Sequence, residues 1–334
     1  MNNYLALKIS KNYQFLTYFL FFFIIFSNYY QLLYAQRNKK DTRLPTEGYV
    51  STGMHAGIAY YFGDLYTDFS IISPTAGAFI LRKLSPHLFG RLGLNYALVQ
   101  GDDARANPNS HIFARNLHFR NAIKELNAQI SIDLWGSYGK FYKRRNLVAY
   151  LATGISIFHH NPQAKIPINW GRQWVDLQPL GTEGQGRAGY PKPYSKIQIA
   201  LPLSVGLKWK INDRSDFQIE TCFRYTSTDY LDDVSKQYPD LSDLANPLAV
   251  ALSNRTLEPI AATTGKSRNL DQLVQKYGID AYLANDNNLY QTLEGFKRNT
   301  RFTRGNTFAR DFFLTFQFQI EYIMNVGLKC PKFK

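Results

Sequence analysis

The feature that most constrains this chain is a two-residue alternation sustained over long segments. In residues 311–324, DFFLTFQFQIEYIM, Phe312, Leu314, Phe316, Phe318, Ile320, Tyr322 and Met324 share one parity. Thr315, Gln317, Gln319 and Glu321 occupy the other, with Phe313 and Ile323. Successive side chains of a strand point to opposite faces, so the pattern is a β-strand with one apolar face. Residues 197–211 repeat it, with Ile197, Ile199, Leu201, Leu203, Val205, Leu207, Trp209 and Ile211 set against Gln198, Ser204, Gly206, Lys208 and Lys210. The same reading gives strands over 49–62, 74–84, 88–100, 123–135, 147–159 and 216–230. These segments exceed the usual strand length of about 5–6 residues in soluble sheets. In 74–84 and 147–159 both parities are apolar, and the sequence assigns no face. Pro202 lacks a ladder donor inside its strand.

The connections alternate. Those after the second, fourth and sixth strands are short or moderate (SPH, GSYGKFYKRRN, NDRS), whereas those after the first, third, fifth and seventh are long, 162–196 and 231–310 among them. In an antiparallel meander this gathers every long loop at one end. Lys8 and Lys11 precede the apolar run Phe15–Phe26, and Leu33 and Ala35 supply a cleavage site. The run is shorter than the roughly 20 residues of a spanning helix, so residues 1–35 read as a cleaved secretory signal peptide. Cys222 and Cys330 are the only cysteines, too few for a disulfide framework. The formal charge is +14, but no helical basic stripe or zinc-ligand spacing accompanies it, which argues against nucleic acid.

Two closed barrels could hold these strands. A soluble one would turn the apolar face inward around a ligand, and a membrane one would turn it outward to lipid. Unbroken apolar faces, charged residues sharing a parity with Ser204 and Gly206, and aromatic residues near strand ends all favour the membrane. Trp209, Phe217 and Tyr322 would mark the short-turn end, and Tyr60, Tyr225 and Phe312 the other. The expected fold is all-β: an eight-stranded antiparallel transmembrane β-barrel of outer-membrane type, with short periplasmic turns and long extracellular loops. Residues 36–48 would form a short periplasmic N-terminal segment, 49–325 the barrel and 326–334 a basic periplasmic tail. A three-residue turn at 213–215 would place Lys208 opposite Glu220 as a lumen ion pair, and Ser204 opposite Arg224. Eight strands leave an interior that side chains fill, so bulk diffusion is a poor expectation.

Few residues suggest chemistry. Gly265-Lys266-Ser267 lacks the earlier glycine of a phosphate loop. His159 and His160 point to opposite faces of a strand, and Asp229, Asp232 and Asp233 read as loop carboxylates more readily than as a cation site. With no nucleophile–base pair at interpretable spacing, no enzymatic activity, cofactor or metal is expected. Two surfaces draw attention instead. The turn 136–146 carries Lys140, Lys143, Arg144 and Arg145, a candidate partner contact. The loop around 169–186 carries Trp170, Trp174, Asp176, Gln178, Gly181, Glu183 and Gly186, a candidate ordered cap packed over the barrel mouth or against a partner.

GIAYYFGDL (57–65), RNLHFRN (115–121), WVDLQPLGTEGQG (174–186), FRYTSTDYLDDVS (223–235) and RGN (304–306) together resemble a Bacteroidota outer-membrane β-barrel family that includes PorG, a type IX secretion system component. Similar elements run from about residue 49 to 324. The resemblance implies a non-enzymatic barrel in the cell outer membrane. It also implies two kinds of partner: the lipid bilayer, and the periplasmic ring of the secretion machine, built from a lipoprotein and its partner. The long fourth loop and the basic tail depart from the family pattern. The competing expectation is a barrel that binds or transports a ligand through its extracellular loops.

Overall fold

The computed structural model describes residues 48–68, 70–171, 173–244, 246–283, 288–306 and 310–324. The expected signal peptide, nearly all of segment 36–48, and the tail with Cys330 lie outside the described residues.

The chain forms β1 (Val50–Phe62), β2 (Pro74–Lys83), β3 (Leu88–Asp102), β4 (His118–Asp133), β5 (Leu147–His159), β6 (Pro162–Lys165), β7 (Trp174–Asp176), β8 (Ile197–Lys210), β9 (Ser215–Thr226), β10 (Ile279–Leu283), β11 (Leu289–Leu293) and β12 (Phe312–Met324). Long-loop segments add the helices α1 (His111–Arg115), α2 (Pro247–Ser253) and α3 (Leu270–Tyr277). Strands β1, β2, β3, β4, β5, β8, β9 and β12 each pair antiparallel with the next, and β12 returns to β1. The ring is therefore a closed eight-stranded antiparallel barrel with no free edge, the condition for a sheet to stand in hydrocarbon.

The outside of the wall is apolar. Leu94 is 63% exposed, Ile155 62% and Ile320 62%, and Met54, Leu92, Leu126, Ile130, Leu201 and Phe318 lie on the same surface. Side chains this greasy over a continuous band belong against lipid rather than water. The alternation in β12 is kept at every position: Phe313, Thr315, Gln317, Gln319, Glu321 and Ile323 are buried inside. Aromatic rings sit at both ends of the outer surface. Phe62 stacks on Phe312 at 4.7 Å and Phe223 meets Phe312 at 4.7 Å at the long-loop end, while Trp209 lies 6.0 Å from Phe217 at the other.

The two strands without a readable face carry Phe79 and Leu81 of β2, and Val148, Tyr150 and Phe158 of β5, on the inner side. Apolar lumen residues opposite apolar lipid-facing residues erase the alternation. Strand β4 begins at His118 rather than Ile123. In its first turnless stretch Phe119 and Ile123 point inward while Arg120 and Lys124 point outward. Above the hydrocarbon the polarity inverts, and the pattern that marks the strand below disappears. Here β4 outlasts β5 and pairs with β6, Arg120 opposite Gln163, and β6 pairs with β7.

Candidate functional site

The interior of the barrel is built in three layers. At the short-turn end Tyr49, Phe79, Leu81, Phe89 and Ile323 form an apolar cluster with Phe141 packed against it. At the long-loop end Tyr61, Val99, Phe119, Phe158 and Phe313 form another, into which Leu231 and Val234 of the fourth loop are inserted. Between them lies a buried ionic layer. Arg91 reaches Glu220 at 2.7 Å and Arg224 reaches Glu125 at 2.7 Å, while Lys208 lies 3.6 Å from Asp133, the last residue of β4, beside the short-turn cluster. Neutral donors and acceptors complete the network: Tyr150 donates to Glu220 at 2.7 Å, Asn95 to Glu125 at 3.0 Å, and Arg224 to Thr315 at 2.7 Å. Gln218 also donates to Glu321. The Arg91 guanidinium lies over the Phe79 ring and the Lys208 ammonium over the Phe89 ring, so the cations meet the faces of the lower plug's aromatic rings. The Arg91–Glu220 and Arg224–Glu125 pairs are tolerated in burial because each is both paired and hydrogen-bonded, whereas Lys208 and Asp133 are held by charge alone.

This corrects the expected Lys208–Glu220 pair. Both side chains face inward, but the β8–β9 register places Lys208 opposite Gln218, Gly206 opposite Glu220 and Ser204 opposite Cys222. The turn begins one residue earlier than expected. Asn212 Oδ1 accepts the amides of Arg214 and Ser215, each at 2.8 Å, so Asn212 opens the turn and Ile211 pairs back to Ser215. That one-residue shift in the turn moves the paired partner by two positions. Lys208 consequently meets Asp133 of β4, and Glu220 meets Arg91 of β3.

The basic turn divides in two. Lys140, Lys143 and Arg145 are exposed. Arg144, expected among them as a surface contact, is buried. Its guanidinium pairs with Asp216 at 2.7 Å and donates to the carbonyls of Asn212, Asp213 and Ser215. Arg144 thus clamps the neighbouring turn, because five donors in one fork satisfy a whole hairpin end.

The 169–186 loop also divides. Trp174 and Asp176 are part of β7 and extend the wall, and Trp170 is exposed at 53%. Gln178 donates to the Tyr194 carbonyl at 3.3 Å. Beyond it the chain turns inward through Gly181 and Gly184, both in the left-handed region. At Gly184 a Cβ would meet the Tyr190 ring at 2.4 Å, so only glycine fits. Gly186 is exposed, whereas Thr182 and Glu183 are buried. Glu183 accepts the amides of Ser235 and Lys236 and the Arg304 guanidinium at 3.1 Å. Asp233 accepts from Thr182 and from Tyr194 at 2.8 Å.

Arg304 is the hub of this cap. It donates to the Asp233 carbonyl at 2.6 Å and the Ser253 carbonyl at 3.2 Å, and lies 3.6 Å from the Asp233 carboxylate. Its own carbonyl accepts from Arg115, which pairs with Asp103 at 2.7 Å and donates to the Asp64 carbonyl. Residues from all four long loops are thereby joined. Sequence reading singled out Glu183 as a cap residue and quoted Arg115 and Arg304 only within strings that carry the resemblance; it gave neither of them nor Asp103 a role, since nothing local marks residues whose partners come from other loops. Burial pushes Asp233 up to about 6 despite the opposing pull of Arg304, and pushes Asp229 up to about 8. Asp232 faces away from Asp233, accepting from Tyr61 at 2.5 Å, so the three loop carboxylates do not converge on one point. Among the described residues no group of His, Cys, Asp or Glu is arranged to hold a metal ion. His160 turns inward to the Ser195 carbonyl at 3.0 Å, and burial lowers it to about 4, while His159 is exposed.

No protein-family model matches the chain, and no curated protein matches it. Among solved structures it is similar to Neisserial surface protein A, with a TM-score of 0.35 and 8% identity over 83% of this chain and 98% of that one. It is also similar to Ail, the attachment invasion locus protein of Yersinia pestis, solved with the heparin analogue sucrose octasulfate, with a TM-score of 0.34 and 7% identity over 84% of this chain and 100% of that one. The barrel assignment for the present chain stands on its own hydrogen-bonded closure and apolar exterior.

Proposed function

We propose that this chain is a non-enzymatic outer-membrane barrel that serves as a structural component of a protein secretion system. In this reading it is PorG-like and anchors a periplasmic ring, a lipoprotein and its partner, to the outer membrane. The observation that carries the reading is the filled interior. Among the described residues, buried apolar clusters at both ends and buried ion pairs fill the barrel interior with side chains. A barrel filled in this way is expected to act through its ends. Lys140, Lys143 and Arg145 project from the short-turn end and supply the partner contact, with Arg144 fixing the turn beneath them.

The test is a detergent pull-down from the native membrane. Recovery of periplasmic ring proteins with the parent chain, and their loss with the Lys140→Ala, Lys143→Ala, Arg145→Ala combination, supports the anchor. Deleting the gene should leave secreted proteins retained in the cell; unchanged secretion would remove the proposal. A ligand-binding role has one observation in its favour, the ordered outer cap with exposed Trp170. Loss of ligand uptake in a Trp170→Ala strain whose secretion is intact would select that reading instead.

A further inference from the structure

The outer rim of the barrel differs between its two sides. On β1, β9 and β12 it is aromatic: Tyr60, Phe62, Phe312 and Phe223 form a continuous stack. On β4 and β6 it is cationic, with Trp174 of β7 beside it. Lys124 lies on the lipid-facing side of β4, opposite Tyr96 on one neighbour and His159 on the other. It sits two residues above Leu126, about 7 Å along the strand, and Leu126 is flanked by Leu94 and Ile157 in the apolar band. Arg120 continues the same face upward. Its guanidinium lies 4.1 Å from the centre of the Trp174 ring, and its Nε donates to Gln163 at 3.0 Å. Lys165 approaches the same ring at 5.6 Å. The carboxylate of Asp176 on β7 is occupied by Gln163 at 2.7 Å and by Lys196 at 4.0 Å. Among the described residues Arg120, Lys124 and Lys165 make no ion pair.

We infer that this face binds the phosphate-bearing headgroup of a lipid in the leaflet at the long-loop end. The location gives the class of partner. A ligand here has its acyl chains beside Leu126, Leu94 and Ile157 and its headgroup level with Lys124. Charge gives the headgroup. Three unpaired cations on one outward face attract a multiply charged anion, and Arg120 is held in place by its ring stack and Gln163 with its terminal amino groups free to bind phosphate oxygens in pairs. Trp174 and Gln163 therefore act as positioning residues for Arg120. The inference depends on the barrel spanning a membrane and is independent of any role in secretion.

The experiment uses the full mature chain in neutral detergent, with native mass spectrometry to measure binding of bisphosphorylated lipid A and of the same lipid stripped of its phosphates. The parent chain should bind the phosphorylated form at least tenfold more tightly. Arg120→Gln, Lys124→Gln, Lys165→Gln should abolish that preference. A Lys124→Gln, Lys165→Gln chain, which keeps the Arg120–Trp174 stack, should lose most of it, and Lys124→Arg, Lys165→Arg should restore it. Equal binding of the two lipids by the parent chain overturns the inference. So does an equal loss in a Lys143→Gln, Arg145→Gln control at the opposite end, which would mean bulk charge rather than a site. Heat-modifiable gel migration of each variant verifies that the barrel is closed, so a folding failure is recognised separately.

Discussion

The hydroxyl of Tyr150 on β5 donates to the Glu220 carboxylate on β9 at 2.7 Å, across the whole width of the strand between them. The residue crossed is Gly206 of β8, which pairs with Tyr150 on one side and Glu220 on the other. A Cβ on Gly206 would lie 2.4 Å from the Tyr150 ring. The absent side chain is therefore the space in which the ring lies, and the ring delivers a donor to a carboxylate already bound by Arg91.

Gly206→Val should fill that space and expel Tyr150. The expected cost is about 1–3 kcal/mol for overpacking. Glu220→Gln should cost more, about 3–5 kcal/mol, because Arg91 is left buried without its partner. Urea unfolding in detergent measures both. Equal stability of Gly206→Val and the parent would show that Tyr150 has another place to go.

Arg144 and Lys143 are adjacent in a basic turn yet have opposite roles. Arg144→Ala strands the Asp216 carboxylate and several turn carbonyls, and should destabilise by about 3–5 kcal/mol. Lys143→Ala, at an exposed position, should stay within about 0.5 kcal/mol of the parent. A comparison of the two unfolding midpoints decides whether the turn is uniformly a surface or, as its geometry requires, a clamp beneath a surface.

Arg304→Ala should release the cap without opening the barrel. Its partners Glu183, Asp233 and Ser253 belong to loops that no barrel-strand pairing holds together. Limited proteolysis should cut within 169–196 and 231–306 faster than in the parent, while heat-modifiable migration is retained. Unchanged cleavage rates would move the hub elsewhere.

The cap should also loosen as pH rises from about 4 to 8. Burial raises Asp233 to about 6 and Asp229 to about 8, above their ordinary range. A carboxyl with a raised folded-state value favours the closed cap fully below its unfolded value near 3.9, and that contribution fades as pH climbs through the folded value. Hydrogen exchange of the amides at 182–186 and 233–236 should therefore show protection declining across this window, after correction for intrinsic exchange. Asp233→Asn should flatten the portion between about 4 and 6. Protection that rises with pH would mean that the Arg304 pairing outweighs burial.

The sequence by itself determined the strands of the barrel and which face of most of them meets lipid. Alternation is a local property: Phe316 and Gln317 declare opposite environments whatever lies beside them. It failed where that contrast is absent. In β2 and β5 the lumen is lined by Phe79, Leu81 and Tyr150, and at the start of β4 Arg120 points out while Phe119 points in. Only the tertiary structure decided which charges meet. The β8–β9 register depended on whether the turn opened at Asn212 or one residue later, a small local difference that exchanged Glu220 for Asp133 as the partner of Lys208. The burial of Arg144 and the hub at Arg304 were equally invisible, because an ion pair between distant segments leaves no periodic trace in either one. Sidedness is written along the chain; pairing exists only once the ring has closed.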